Sequence, residues 1–146
     1  MKVLLDTNVL VRLASTTHVS HQIAKQFISD SPVAGRYLYT LPQCYYELWV
    51  VATRPGSSNG GLGLLPAEAL NEIRKFSRLF HPLDDTPEIF PRWLALVSRY
   101  GVRGKTAHDV RLVAGMMVHS ITHVATYNPT DFKRFSEIDV IDMSAS

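Results

Sequence analysis

Cysteine is nearly absent. Cys44 is the only one in the chain, so no intrachain disulfide exists, and a reducing cytoplasm is the expected setting. Long apolar runs are missing as well. None reaches the roughly 18–20 residues that a membrane span needs, and Asp6 interrupts the short N-terminal run that a signal peptide would require. Neither membrane insertion nor export is expected. Charge of one sign does not dominate: a formal +2 tolerates a nucleic-acid partner without demanding one. The stretch Gly60-Gly61-Leu62-Gly63 lacks a Gly-Lys-Ser/Thr ending and follows a predicted helix, which argues against a Walker-type phosphate loop. His18/His21 and His119/His123 have neither cysteine partners nor a His-Glu-x-x-His helix, which argues against zinc. Cys44 lies in an apolar helix with no base beside it and reads as an inert core thiol.

What remains is a globular composition, 46% hydrophobic and 19% charged over 146 residues. That is enough for one domain, residues 1–146, with a core of one sheet and several helices. Met1–Leu5 reads as a buried strand that turns at Asp6-Thr7-Asn8 into a helix through about Ala14. Ser20 is a candidate N-cap for a helix over Gln22–Ser29. Tyr37–Leu41 reads as a second strand, and Pro42 opens a helix to about Thr53. After a loop from Pro55 to Leu65, Pro66 starts another helix to Leu79, and Phe80–Leu83 reads as a short strand. Pro87–Tyr100 is helical and stopped by Gly101. A basic loop precedes the apolar helix Ala107–Ser120, and Thr122–Thr126 and Val140–Met143 are further strand candidates. Such alternation predicts an α/β fold with a mainly parallel sheet.

Against this apolar background four acids stand out. Asp6 closes Val3-Leu4-Leu5, Glu47 is the only charge between Arg36 and Arg54, and Asp109 opens the apolar stretch Val110–Val118. Asp131 follows the strand Thr122–Thr126. Burying an unpaired carboxylate costs several kcal/mol or forces it to take up a proton. In open α/β sheets, ligands sit beyond the carboxyl ends of the strands, where all four acids are expected to meet. A shared divalent cation would hold their charge. Bland readings stand beside this one: Asp6 and Asp109 as helix caps, and Asp131 as a turn residue. Glu47 has no such reading, because its helix is apolar nearly all round and predicts that it is buried.

The order and spacing of these residues resemble the PIN-domain ribonucleases, most closely the VapC-type toxins of bacterial toxin–antitoxin pairs. Leu4-Leu5-Asp6-Thr7-Asn8-Val9-Leu10, Tyr46-Glu47-Leu48, Lys105-Thr106-Ala107-His108-Asp109-Val110 and Ala125-Thr126-Tyr127-Asn128-Pro129-Thr130-Asp131 carry the resemblance. Thr53-Arg54-Pro55 and Asn59-Gly60-Gly61-Leu62-Gly63-Leu64 extend it. It implies a three-layer α/β/α sandwich with Asp6, Glu47 and Asp109 as the principal metal-binding and catalytic acids. The fourth position stays open between Asp131 and Asn128, since relatives differ in where the last acid falls. Asn8, Thr126 and Asn128 are implied as polar supports.

The implied activity is endoribonucleolytic hydrolysis with Mg²⁺ or Mn²⁺, hard cations that prefer carboxylate oxygen and water. The implied partners are an RNA substrate, a cognate antitoxin protein and a second copy of the chain in a homodimer. Arg103 and Lys105, in the loop before Asp109, are the best candidates for RNA contact. A PIN scaffold that binds RNA or protein with little catalysis is the alternative. A phosphatase using Asp6 as nucleophile is disfavoured, because Asn8 stands where that signature has a second Asp.

Overall fold

Val3, Leu4 and Leu5 are fully buried, and the strand they form lies inside the sheet rather than at its edge. The computed structural model describes residues 1–145. In it β1 (Lys2–Leu5) is flanked by β2 (Tyr37–Tyr39) and β3 (His123–Thr126), and β4 (Asp139–Asp142) completes an all-parallel sheet of order β2-β1-β3-β4. The register pairs Leu4 with Tyr39 on one side and with Val124 on the other. A strand covered on both faces is expected to be an uninterrupted apolar run, and β1 is one.

Six helices connect the strands: α1 (Thr7–Ala14), α2 (His21–Asp30), α3 (Pro42–Thr53), α4 (Pro66–Leu79), α5 (Ile89–Tyr100) and α6 (Thr106–Val118). The chain moves outward from β1 to β2 and then returns past β1 to β3. Right-handed crossovers place helices from the outward and return paths on opposite faces. Within the paths α1 packs on α2, α3 on α4 and α5 on α6, and α1 also meets α3, which joins the two paths at the end of the sheet where Asp6 and Glu47 lie. No helix among the described residues is long and apolar enough to cross a membrane.

The segment Phe80–Leu83, expected as a strand, is reduced to one parallel bridge between Thr40 and Pro82. Proline has no amide hydrogen and cannot continue a ladder. Side chains hold the segment instead: the Phe80 carbonyl accepts hydrogen bonds from the hydroxyls of Thr40 and Tyr45. Ser20 precedes α2 as expected, yet its side chain makes no capping bond. The helix expected from Pro87 begins at Ile89.

The loop from Pro55 to Leu65 folds back over the end of α3. Leu62, Gly63 and Leu64 donate their amides to the carbonyls of Val51, Arg54 and Ala52 at 3.0, 2.8 and 2.8 Å, satisfying acceptors that a helix C-terminus leaves open. Gly61 is the tight point. A Cβ there would lie 2.4 Å from the Pro55 carbonyl oxygen and 2.6 Å from that of Arg54. Gly61→Ala is expected to destabilise the protein by about 1–3 kcal/mol, because backbone rather than a flexible side chain must move. Gly56→Ala, whose added methyl would meet only one atom at 3.8 Å, should be close to neutral. Thermal unfolding of the two variants checks the contrast.

Candidate active site

Asp6 leaves β1 and enters α1 in one step. Its amide bonds to the Ala125 carbonyl at 3.0 Å, tying the end of β1 to β3. Its extended backbone places it as the N-cap of α1, where Oδ1 accepts from the Thr7 amide at 2.8 Å. The capping reading of Asp6 therefore holds, alongside a second role for the other oxygen. Oδ2 accepts the hydroxyl of Thr126 at 2.7 Å.

Thr126 is wholly buried, and its hydroxyl is saturated. It receives Nδ2 of Asn8 at 3.1 Å and the amide of Asn128 at 3.0 Å. Both are donors, so the one hydroxyl proton must point at Asp6. Asn8 is fixed in turn by the Tyr127 amide, which donates to its Oδ1 at 3.1 Å. The supporting residues Asn8 and Thr126 thus form one network around Asp6. Asn128 joins it through its backbone, with its side chain left exposed.

Glu47 is half-buried rather than buried. Its helix is apolar all round because it also exposes Tyr46 and Val50. Each carboxylate oxygen has a donor: Thr7 Oγ1 at 3.1 Å and Gln43 Nε2 at 2.6 Å. Gln43, one turn earlier on α3, also donates to the His108 carbonyl at 2.7 Å and accepts from Arg111 at 3.2 Å. Neither Thr7 nor Gln43 stood out in the sequence. The spacing of four between Gln43 and Glu47 is a signal that would have found the latter pair.

Asp109 lies in the first turn of α6, past the cap position held by Lys105, so the capping reading of Asp109 fails. Its carboxylate has no hydrogen-bond partner among the described residues. Asp131 ends a 3₁₀ turn, Pro129–Asp131, and is exposed. Asp6, Glu47, Asp109, Asp131 and Asn128 all line one cavity of about 280 Å³, with Asn8, Thr7, Arg12 and the loop residues Asn59 and Gly60. Arg12 is the sole cation in that lining. Its Nε is buried without a partner, and its guanidinium lies 5.7 Å from the Tyr127 ring centre. Lys105 lines an adjoining cavity, whereas Arg103 is exposed on the loop and lines neither.

Among the described residues no three His, Cys, Asp or Glu side chains close into a ready-made metal cluster. Asp6 and Glu47 are turned onto their own donors, and the acids share a cavity rather than a tight shell. The donor set nevertheless suits a hard divalent ion: four carboxylates and three side-chain amides, with no thiolate or imidazole in the lining. Electrostatics points the same way. The Asp6 carboxyl is pushed up to about 6, chiefly by burial, with the Thr126 and Thr7 hydrogen bonds opposing and the charges of Glu47 and Asp131 adding. Asp109 is pushed up to about 7 by burial first, then by Asp131, Asp6 and Glu47.

A raised carboxyl pKa favours the folded state fully only below the unfolded value near 3.9, and that contribution is lost as pH climbs through the folded pKa. In chelator, Asp109→Asn should therefore match the parent near pH 4. It should gain on the parent through pH 7, reaching an advantage of about 1–3 kcal/mol at pH 8. Thermal melts across that range test the sign, and an advantage that shrinks with rising pH would contradict it.

The PIN domain family model matches residues 3–138. Among solved structures, DNA-bound VapBC from Salmonella typhimurium matches with a TM-score of 0.68 at 18% identity, covering 98% of each chain. FitAcB from Neisseria gonorrhoeae gives 0.66 at 18% identity over 99% of each. VapC20 from Mycobacterium tuberculosis, a sarcin–ricin loop cleaving toxin, gives 0.65 at 16% identity over 93% of this chain and 98% of that one. No curated protein sequence matches. At such identities the structural likeness establishes the fold, and the sequence model establishes the kinship. This chain belongs to the PIN-domain family.

Proposed function

We propose that the chain is a metal-dependent endoribonuclease and the toxin of a toxin–antitoxin pair, with residues 1–146 acting as one nuclease domain. The observation that carries this reading is the convergence of Asp6, Glu47, Asp109 and Asp131 on one cavity, with a single guanidinium to offset them. Mg²⁺ or Mn²⁺ held by these four acids would supply the positive charge and the activation of water that phosphodiester hydrolysis requires.

The chain's own contribution is positioning. The saturated Thr126 hydroxyl and the Thr7 amide hold the two Asp6 oxygens apart and in fixed directions. Thr7 and Gln43 do the same for Glu47. Asp109 and Asp131 bring carboxylates with free oxygens, and Asn128 adds a neutral acceptor at the rim. Arg12, the one cation in the cavity lining, would pair with a phosphate oxygen of the substrate. Hydrolysis by water leaves a 5′-phosphate and a 3′-hydroxyl and needs no covalent link to the enzyme. The raised carboxyl pKa values mean that filling the site with a cation releases protons near neutral pH.

Likeness to VapBC complexes supports an antitoxin protein as partner, and an intracellular setting follows from that role. A homodimer is proposed from α3 and α5, which expose Trp49, Val50, Phe90 and Leu94, side chains of the kind that a self-association surface covers. Tyr45, by contrast, is core. Light scattering at micromolar concentration should give twice 16.4 kDa, and the monomer mass at every concentration would exclude the dimer.

The activity itself is tested by Asp6→Ala, Glu47→Ala and Asp109→Ala, each expected to cut RNA cleavage by about a hundredfold or more. Thr126→Val should cost about 10–100-fold by releasing Asp6. EDTA should abolish cleavage, and Mg²⁺ or Mn²⁺ should restore it. A folded Asp109→Ala protein of undiminished activity would overturn the assignment. RNA binding without cleavage of any RNA in a broad panel would favour a non-catalytic PIN scaffold.

A further inference from the structure

A second cavity, of about 440 Å³, adjoins the acid cavity and shares Glu47 and Asp109 with it as a common wall. The buried Gln43 lines it, with its amide committed on both sides to Glu47, the His108 carbonyl and Arg111. Lys105, His108, Arg111 and Tyr46 complete the lining. The balance of charge changes across the wall. Four carboxylates face one guanidinium in the first cavity, whereas two carboxylates face two cations in the second. Arg111 is steered by Asp85 at 3.1 Å. Lys105 is exposed and has no carboxylate partner among the described residues. Tyr46 is 63% exposed, one residue before Glu47, and borders both this polar cavity and an apolar hollow lined by Tyr45, Trp49 and Ile73.

We propose that this second cavity is a subsite for an unpaired nucleotide next to the scissile phosphate, with the Tyr46 ring stacking on its base and Lys105 neutralising its phosphate. The proposal rests on the nuclease reading and adds which side chains of this chain grip the strand beside the acids. An open tyrosine face offers every base a stacking surface, and a free ammonium beside it offers the backbone a counter-charge. The acid cavity alone repels RNA, so a strand must be gripped from outside it. The shared wall puts that grip one step from the acids. A base held on Tyr46 cannot remain paired in a duplex.

The test is fluorescence anisotropy of the full chain with a labelled, non-self-complementary 12-nucleotide RNA. Ca²⁺ is present to offset the acids, and intactness of the RNA is checked on a gel. Tyr46→Leu is expected to weaken binding about tenfold, with Tyr46→Phe close to the parent. Lys105→Ala should reduce the slope of log affinity against log salt by about 0.7. Annealing the RNA to its complement should remove the dependence on Tyr46. Unchanged affinity in both Tyr46→Leu and Lys105→Ala overturns the subsite, and cleavage that still requires Asp109 would then leave the nuclease reading standing. Conversely, the expected affinity losses without any cleavage by the parent would overturn the nuclease reading alone. A Tyr46→Leu effect on molar mass with no effect on RNA affinity would assign Tyr46 to a protein contact and overturn the proposal.

Discussion

Mutual repulsion among Asp6, Glu47, Asp109 and Asp131 is the constraint around which the rest of this molecule is arranged. Left to themselves the four carboxylates would separate or take up protons, and Asp6 and Asp109 already lean toward protonation. The fold prevents separation by fixing each acid to an element that packing holds: Asp6 to the central strand, Glu47 to α3, Asp109 to α6, and Asp131 to the turn after β3. Apolar burial in β1, α3 and α6 supplies the stability that this arrangement consumes. The site is thus held under electrostatic load by the core beneath it.

Two of the acids are held differently from the other two. Asp6 and Glu47 have hydrogen-bond donors on both oxygens, so their directions are set before anything binds. Asp109 has no such partner and Asp131 is exposed, so their side chains are free to adjust. A half-rigid, half-adaptable set of oxygens lets the site settle around a cation or a phosphate without first breaking apart.

Much of this was legible in the chain. The parallel strands follow from the alternation of strands and helices, and the meeting of Asp6, Glu47, Asp109 and Asp131 follows from acids interrupting apolar runs at strand ends and helix starts; the order of the strands does not. Glu47 departs from the expected burial for a physical reason: an all-round apolar helix reads as core, yet α3 turns Tyr46, Trp49 and Val50 outward. Phe80–Leu83 has strand-like composition, but Pro82 removes the hydrogen-bond donor that a strand needs. Of the two partners of Glu47, Gln43 is signalled by its spacing of four, whereas Thr7 lies 40 residues away, and no local pattern encodes a contact at that distance. The role of the glycine-rich loop was also hidden. Gly61 allows close approach to the backbone of Pro55 and Arg54, in a loop that brings Asn59 and Gly60 to the rim of the acid cavity.

Asp6 and Thr126 are 120 positions apart, yet one hydrogen bond joins them across adjacent parallel strands. Parallel pairing of such distant segments is late and costly in loop entropy. During synthesis, a growing chain that has not yet extruded β3 lacks Thr126, Asn128 and Asp131 together. Its first acid then has neither its hydroxyl partner nor its nearest strand neighbour on that side. The cavity can therefore be assembled only after β3 and the turn that follows it have left the ribosome.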